Sequence, residues 1–379
     1  MEPLSADVLP HGVRSRFVEG VNGLTMHVLE AGFDPPGRPG VLLLHGFPEL
    51  AYSWRRVLPA LAAAGYHVVA PDQRGYGRTT GWDADYDGDL RSYRFLNLVR
   101  DVIGLLAALG IARVRAVVGH DFGSPVAAWC ALLRPDVFRS VVLMSAPFAG
   151  PPPIAVAPAA AAARLAEMNE QLGALRWPRQ HYQWYYTTRR ANDDMWHCEQ
   201  GVHAFLRAYY HHKSADWKDN RPHPLQGWSA TELAHMPTYY VMERGQTMAQ
   251  TVAVEMPGDD EIAANVWLPE HDLQIYADEY RRTGFQGGLQ WYRCASADAA
   301  CIAELQVFSG RTIDVPSLFI AGASDWGTYQ RPGDFEAMQA LACTRMLGAE
   351  LVDGAGHWVQ QEQATAVNRL LLDFLQVSA

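Results

Sequence analysis

No stretch of about 18 consecutive apolar residues occurs in this 379-residue sequence, so a membrane-spanning helix is not expected. The N-terminus, MEPLSADVLPHGVRSRF, lacks a basic start followed by an apolar run, which argues against a secretory leader. Positive charge is in deficit: 31 Lys and Arg stand against 41 Asp and Glu, a formal net charge of -10. Nucleic acids and anionic lipid surfaces call for basic patches, so neither is expected as a partner, and a small molecule is. The five cysteines, Cys130, Cys198, Cys294, Cys301 and Cys343, are odd in number and form no CxxC pair. That excludes a disulfide framework and fits a reducing, cytoplasmic location. Trp196-His197-Cys198, His203 and His211-His212 match no standard zinc spacing, and Asp193-Asp194 and Asp259-Asp260 read as exposed loops rather than calcium sites. Neither a metal nor another cofactor is expected. Finally, no serine sits at the centre of a G-x-S-x-G turn; Ser124 and Ser145, the two serines near the right place, are both off centre.

What is present is ordinary for a packed enzyme: 49% hydrophobic and 19% charged residues. Short aliphatic runs at Val41 to Leu44, Tyr66 to Ala70, Val114 to Val118 and Ser140 to Met144 alternate with helical spacing over Trp54 to Ala64, Phe95 to Leu109 and Ser124 to Leu133. This βαβα order predicts an α/β protein with a mostly parallel sheet flanked by helices. After Ala146 the prolines at 147, 151, 152, 153 and 158 mark a hinge. The irregular stretch beyond it, dense in Tyr, Trp and His, predicts an inserted, mainly helical cap. Strand signals return at Ser317 to Ile320 and Ala349 to Val352, and Val367, Leu370, Leu371, Phe374 and Leu375 fall on one face of a final helix. The expected division is a core of residues 1–150 and 305–379 with a cap of 151–304.

Gly119-His120-Asp121-Phe122-Gly123 lies where a strand gives way to a helix. It is similar to the G-x-nucleophile-x-G elbow of the α/β-hydrolase fold, with Asp121 where serine usually stands. Partners follow in the order that fold uses: Asp325 just after the strand at 318–321, and His357 after the last strand. The backbone amides of Phe47, in His45-Gly46-Phe47-Pro48, and of Phe122 are the expected oxyanion hole. A carboxylate nucleophile changes the chemistry. With a reference pKa of about 3.9 it is ionised at neutral pH and needs no base to attack. At an sp³ carbon it forms an ester, which water can cleave, whereas serine would form a stable ether. His357, oriented by Asp325, is then free to activate that water. Such logic suits an epoxide or an alkyl halide. An opening epoxide releases a basic alkoxide that wants a proton, and neutral phenols can supply one.

Several segments together resemble the α/β-hydrolase epoxide hydrolases: His45-Gly46-Phe47-Pro48-Glu49, Tyr52-Ser53-Trp54-Arg55, Asp72-Gln73-Arg74-Gly75-Tyr76-Gly77 and the elbow itself. The likeness resumes in Thr283-Gly284-Phe285-Gln286-Gly287-Gly288-Leu289-Gln290-Trp291-Tyr292-Arg293 and in His181-Tyr182-Gln183-Trp184-Tyr185-Tyr186. It implies cofactor-independent hydrolysis of an epoxide to a vicinal diol, with Tyr292 and Tyr182 activating the epoxide oxygen, and Tyr185 and Tyr186 in reserve. His45, Pro48 and Trp358 are expected to contact substrate, in a pocket with Phe47 and Phe122; water is the second substrate, and a homodimer is an allowed assembly. Residues 188–279 find no counterpart in the resemblance and read as a lengthened cap. Many family members also carry Trp where this chain has Phe122. The alternative is a haloalkane or haloacid dehalogenase built on the same Asp-His-Asp triad. Phe47 and Phe122 lack the side-chain donors that would hold a halide, and Phe122 cannot bind a carboxylate as Arg would. A hydrolase-fold receptor without turnover is disfavoured by the intact triad.

Overall fold

The computed structural model describes residues 1–378, with the backbone alone at Ala297. Among the described residues ten strands form: β1 Val13–Val21, β2 Leu24–Ala31, β3 Gly40–Leu44, β4 His67–Pro71, β5 Val114–His120, β6 Val141–Met144, β7 Arg179–His181, β8 Val241–Glu243, β9 Ser317–Gly322 and β10 Met346–Val352. Eight of them make one sheet in the order β1-β2-β4-β3-β5-β6-β9-β10. The β1–β2 and β2–β4 pairings are antiparallel and the others parallel. The aliphatic runs read from the sequence are the central strands. Helices cover both faces, so β3, β6 and β9 are buried end to end, and β5 at every residue but Arg115, instead of alternating.

Two local features differ from expectation. One helix was expected over Trp54 to Ala64, but a 3-10 turn at Ala51–Trp54 precedes a separate helix, Leu58–Ala63. Pro59 explains the break: a proline is tolerated in a first turn and not in the interior, so the helix restarts there. The antiparallel β1–β2 hairpin was not anticipated at all. Its two-residue turn is Asn22-Gly23, with φ of 49° and 83°, the pair of positive angles a type I′ turn requires.

The cap is a single insertion between β6 and β9, which are neighbours in the sheet. Its first helix, Pro158–Gly173, opens on the last proline of the hinge, and its last, Ala299–Gln306, runs two residues past the expected boundary. A small antiparallel ladder, β7 with β8, lies among the cap helices. The ends of β3, β5, β6, β9 and β10 therefore open onto one edge of the sheet, where such folds place their chemistry. Among the described residues no helix is long and apolar enough to cross a membrane.

Candidate active site

Asp121 occupies the turn between β5 and the helix Gly123–Leu133, with φ of 50°, a left-handed conformation rare outside glycine. The surrounding glycines are demanded by contact. A Cβ on Gly119 would lie 2.1 Å from the Gly123 carbonyl oxygen, and one on Gly123 would lie 2.3 Å from that of Leu44. One on Gly46 would sit 2.4 Å from Asp121 Oδ1. Strand, helix and the 45–48 loop thus converge on the nucleophile because no side chain separates them.

The Phe47 N–H donates to Asp121 Oδ1 at 2.8 Å, and His357 Nε2 lies 3.2 Å from Oδ2. On its other side, His357 Nδ1 is 3.0 Å from Asp325 Oδ1, which also accepts the Gly327 N–H at 2.7 Å. All three triad side chains are buried. The close approach of the acid strand to the histidine loop again needs a glycine: a Cβ on Gly322 would be 2.2 Å from the carbonyl oxygens of Ala355 and Gly356. Burial opposes charge on Asp121, but the His357 hydrogen bond and charge, with Lys213 and His120 behind it, hold its carboxyl well below the usual range. His357 moves the other way. Burial and the Lys213 charge oppose its proton, and the carboxylates of Asp325 and Asp121 outweigh them, so its pKa rises. No acceptor among the described residues takes the Phe122 N–H, the second expected oxyanion donor.

The cap brings in phenols. Tyr292 lies on the helix Gln286–Ala297, whose glycines let it touch the core: a Cβ on Gly287 would meet the Gly75 carbonyl oxygen at 2.0 Å, and one on Gly288 would meet the Phe47 ring at 2.6 Å. Trp291 Nε1 donates to the Arg74 carbonyl at 2.9 Å and fixes the register. Tyr292 then packs edge-on to Phe47 and Phe122, with ring centroids at 5.5 and 4.8 Å. Tyr182, directly after β7, lies 6.0 Å from the Tyr292 ring; its hydroxyl donates to Gln330 Oε1 at 3.0 Å and accepts from Gln183. Burial, reinforced by the Asp121 charge, pushes both phenols well above 10, so both are neutral donors. Of the reserves, Tyr186 sits 4.9 Å from the Tyr292 ring, and Tyr185 turns away to Asp194.

One expected substrate contact needs correction. His45 is fully buried: its Nε2 accepts the Gln73 N–H at 3.1 Å, its Nδ1 donates to the Gly46 carbonyl at 2.9 Å, and its ring packs on Tyr76. With both nitrogens used inside the protein, it braces the Phe47 loop and has nothing left for substrate. Trp358 is likewise bound inward, Nε1 to the Tyr210 carbonyl at 2.8 Å, with its ring against Tyr210 and His357. Pro48 follows a cis bond, and its carbonyl accepts the Tyr210 hydroxyl at 3.0 Å.

Two buried charges at the site had not been singled out. Glu49 pairs with His120 Nδ1 at 2.5 Å and accepts from Gln360 and Gln361. It ties the Phe47 loop to the residue before the nucleophile; its sequence signal was a charge inside an otherwise apolar His-Gly-Phe-Pro turn. Lys213 ends the cap helix Gly201–Lys213, and its carbonyl accepts the His357 N–H at 2.9 Å. Among the described residues no group of three or more His, Cys, Asp and Glu is placed to hold a metal ion. His203 pairs with Glu270, and His212 is enclosed by Trp217 and Tyr239.

Residues 39–364 match the family described as alpha/beta hydrolase fold, the class that the sheet and the elbow define. Epoxide hydrolase A of Mycobacterium tuberculosis is 35% identical to this chain, over 93% of it and 95% of the relative. An epoxide hydrolase from an endophytic Streptomyces superposes with a TM-score of 0.75 at 34% identity, covering 97% of this chain and 96% of that one. For potato (Solanum tuberosum) epoxide hydrolase I the TM-score is 0.73 at 29% identity, with 96% and 99% covered. The chain belongs to the α/β-hydrolase fold and, within it, to the epoxide hydrolase family. Near-complete coverage in both directions also corrects the expectation of a lengthened cap: it leaves no room for 188–279 as an addition to these relatives.

Proposed function

We propose that this enzyme hydrolyses an epoxide to a vicinal diol through a covalent ester on Asp121. The supporting observation is the pairing of an ionised carboxylate with a neutral phenol: Tyr292 rests on Phe47 and Phe122, the two residues flanking the nucleophile. Asp121 Oδ1 is engaged by the Phe47 amide, so Oδ2, which faces His357 at 3.2 Å, is the oxygen that attacks a ring carbon. As that C–O bond forms, the epoxide C–O bond breaks, and the departing oxygen takes a proton from Tyr292, with Tyr182 as the second donor. His357 next removes a proton from water, and the hydroxide adds to the ester carbonyl. Negative charge collects on Oδ1, facing the Phe47 and Phe122 amides. Collapse returns the Asp121 carboxylate, now carrying the water oxygen, and releases the diol; the two water protons replace those delivered to the diol oxygens.

Asp325 fixes the tautomer and ring plane of His357 and stabilises its imidazolium as it forms. The five cysteines, all free thiols, suit a cytoplasmic workplace. A panel of aryl, alkyl and fatty-acid epoxides beside bromoalkanes tests the assignment. Diol formation without added cofactor is expected. Equal turnover of the bromoalkanes would contradict an oxygen leaving group.

A further inference from the structure

Lysine is almost never fully buried without a partner, yet Lys213 is 2% exposed. Its ammonium stands in a cage of rings: Tyr240 at 4.9 Å, Tyr209 and Trp358 at 5.4 Å, and Tyr239 at 5.8 Å. Aromatic faces stabilise a cation while leaving its field unneutralised, as a carboxylate in contact would not. The cage is joined to the catalytic loop. Trp358 follows His357, the Lys213 carbonyl accepts the His357 N–H, and a Cβ on Gly356 would lie 2.6 Å from that same carbonyl oxygen.

The charges around His357 make this placement meaningful. Asp121 and Asp325 flank its ring at 3.2 and 3.0 Å, from the β5 and β9 ends. The His120 ring lies tilted 5.1 Å away; its Nδ1 faces the Glu49 carboxylate and its Nε2 lies 2.7 Å from the His357 carbonyl oxygen, so it serves as the partner of Glu49. Ser145, at the β6 end, contributes only a hydroxyl. On the lysine's own helix, His212 is neutral, burial pushing it down to about 3, and burial lowers His211 as well. The tyrosines of the cage are neutral, with pKa values far above 7. Glu362, which accepts the Gly356 and Trp358 N–H groups on either side of His357, is pushed up to about 8 by burial, so near neutral pH Lys213 is left to oppose the Asp121 and Asp325 carboxylates; Asp325 Oδ2 has no hydrogen-bond partner among the described residues. Burial lowers the Lys213 pKa from the usual lysine value, and Asp121, Asp325 and Glu49 oppose that shift and favour the proton.

Two flanking carboxylates favour imidazolium, which cannot act as a base. Alkylation removes one of those charges by turning Asp121 into an ester. We propose that Lys213 is a positioning residue for the second half-reaction: its caged ammonium keeps His357 free of a proton in the ester intermediate, so that the ring can activate water. This rests on the two-step reading of the function above. The cap therefore contributes to ester hydrolysis as well as to epoxide opening.

The test is the pH dependence of ester decay in single turnovers, compared among wild type, Lys213→Met and Lys213→Arg, with alkylation rates measured alongside. Loss of a nearby charge should raise the acidic-limb pKa of Lys213→Met by about one unit. Ester decay would then fall about tenfold on that limb, with the alkylation rate and the high-pH plateau little changed. Lys213→Arg should restore the limb. If Lys213→Met does not fold by its melting profile, Lys213→Gln takes its place against Lys213→Arg. An unchanged limb in the neutral variant, or equal shifts in the neutral and arginine variants, overturns the role of Lys213. Absence of any ester in wild type would instead overturn the two-step mechanism beneath it.

Discussion

The core floor and the cap roof of this site are built from opposite materials. On the floor, charge is fixed by partners: Asp121 by the Phe47 amide and His357, Asp325 by Gly327 and His357, Glu49 by His120 and two glutamines. On the roof, Tyr182, Tyr186, Tyr209 and Tyr292 are buried, uncharged and packed on one another and on Phe47 and Phe122. The difference is a division of labour. A nucleophile and a base need stable charge on a rigid frame, while a leaving alkoxide needs a donor that keeps its proton at neutral pH. A carboxylic acid in the roof would ionise and repel Asp121; a phenol does not.

The floor can be broken outright. Asp121→Ala should lower turnover by roughly 10⁴-fold or more with the melting temperature nearly unchanged, as measured by diol formation. His357→Gln should stall later, accumulating a protein species heavier by one substrate in intact-mass spectra; no mass increase would count against the ester. Damage to the roof should be smaller. Tyr292→Phe is expected to slow alkylation by about 10²-fold, and Tyr182→Phe by less, since its hydroxyl is already shared with Gln330. Equal effects would show that the two phenols share the load evenly.

The pH profile separates the two materials without a mutation. His357 acts only when deprotonated, so activity should fall as pH drops; its pKa is raised above the ordinary histidine value of 6.5 while Asp121 is ionised, and the midpoint for ester decay, with that charge gone, should lie below the midpoint of the free enzyme. The phenols stay protonated beyond pH 10, so no matching alkaline loss should follow from them below that pH. The smallest effect on chemistry concerns the joint between the regions. Arg55 of the core pairs with cap Asp272 at 2.8 Å, both buried, and also binds Gln361 and the Trp267 carbonyl. Asp272→Ala leaves that guanidinium without its counter-charge and should cost about 3 kcal/mol, seen in thermal melting, with modest loss of turnover.

The same contrast governs how much the sequence reveals. Asp121, Asp325 and His357 each stand in a turn directly after an apolar strand, and the glycines beside them are compelled by contacts within a few residues or with an adjacent strand. Such constraints are local and leave a pattern. Tyr182 and Tyr292 meet only because the helix Gln286–Ala297 slides against Gly75 and Phe47, a tertiary event with no spacing to betray it; a family resemblance was needed to pick them from 16 tyrosines. His45 was misassigned because a histidine beside a catalytic loop looks the same whether it faces substrate or supports the turn. Lys213 escaped notice for a related reason: a basic residue in a last helical turn reads as a solvated complement to the helix dipole, and only packing shows it enclosed. The β1–β2 hairpin is a different case, since Asn22-Gly23 was a visible turn signal.

The central claim is that Asp121 itself attacks the substrate. A single turnover with enzyme in excess, run in ¹⁸O-labelled water, tests it most directly. The account predicts that the diol is released without label and that Asp121 acquires it, identifiable by peptide mass. Label in the first-turnover diol, with none in Asp121, would contradict it.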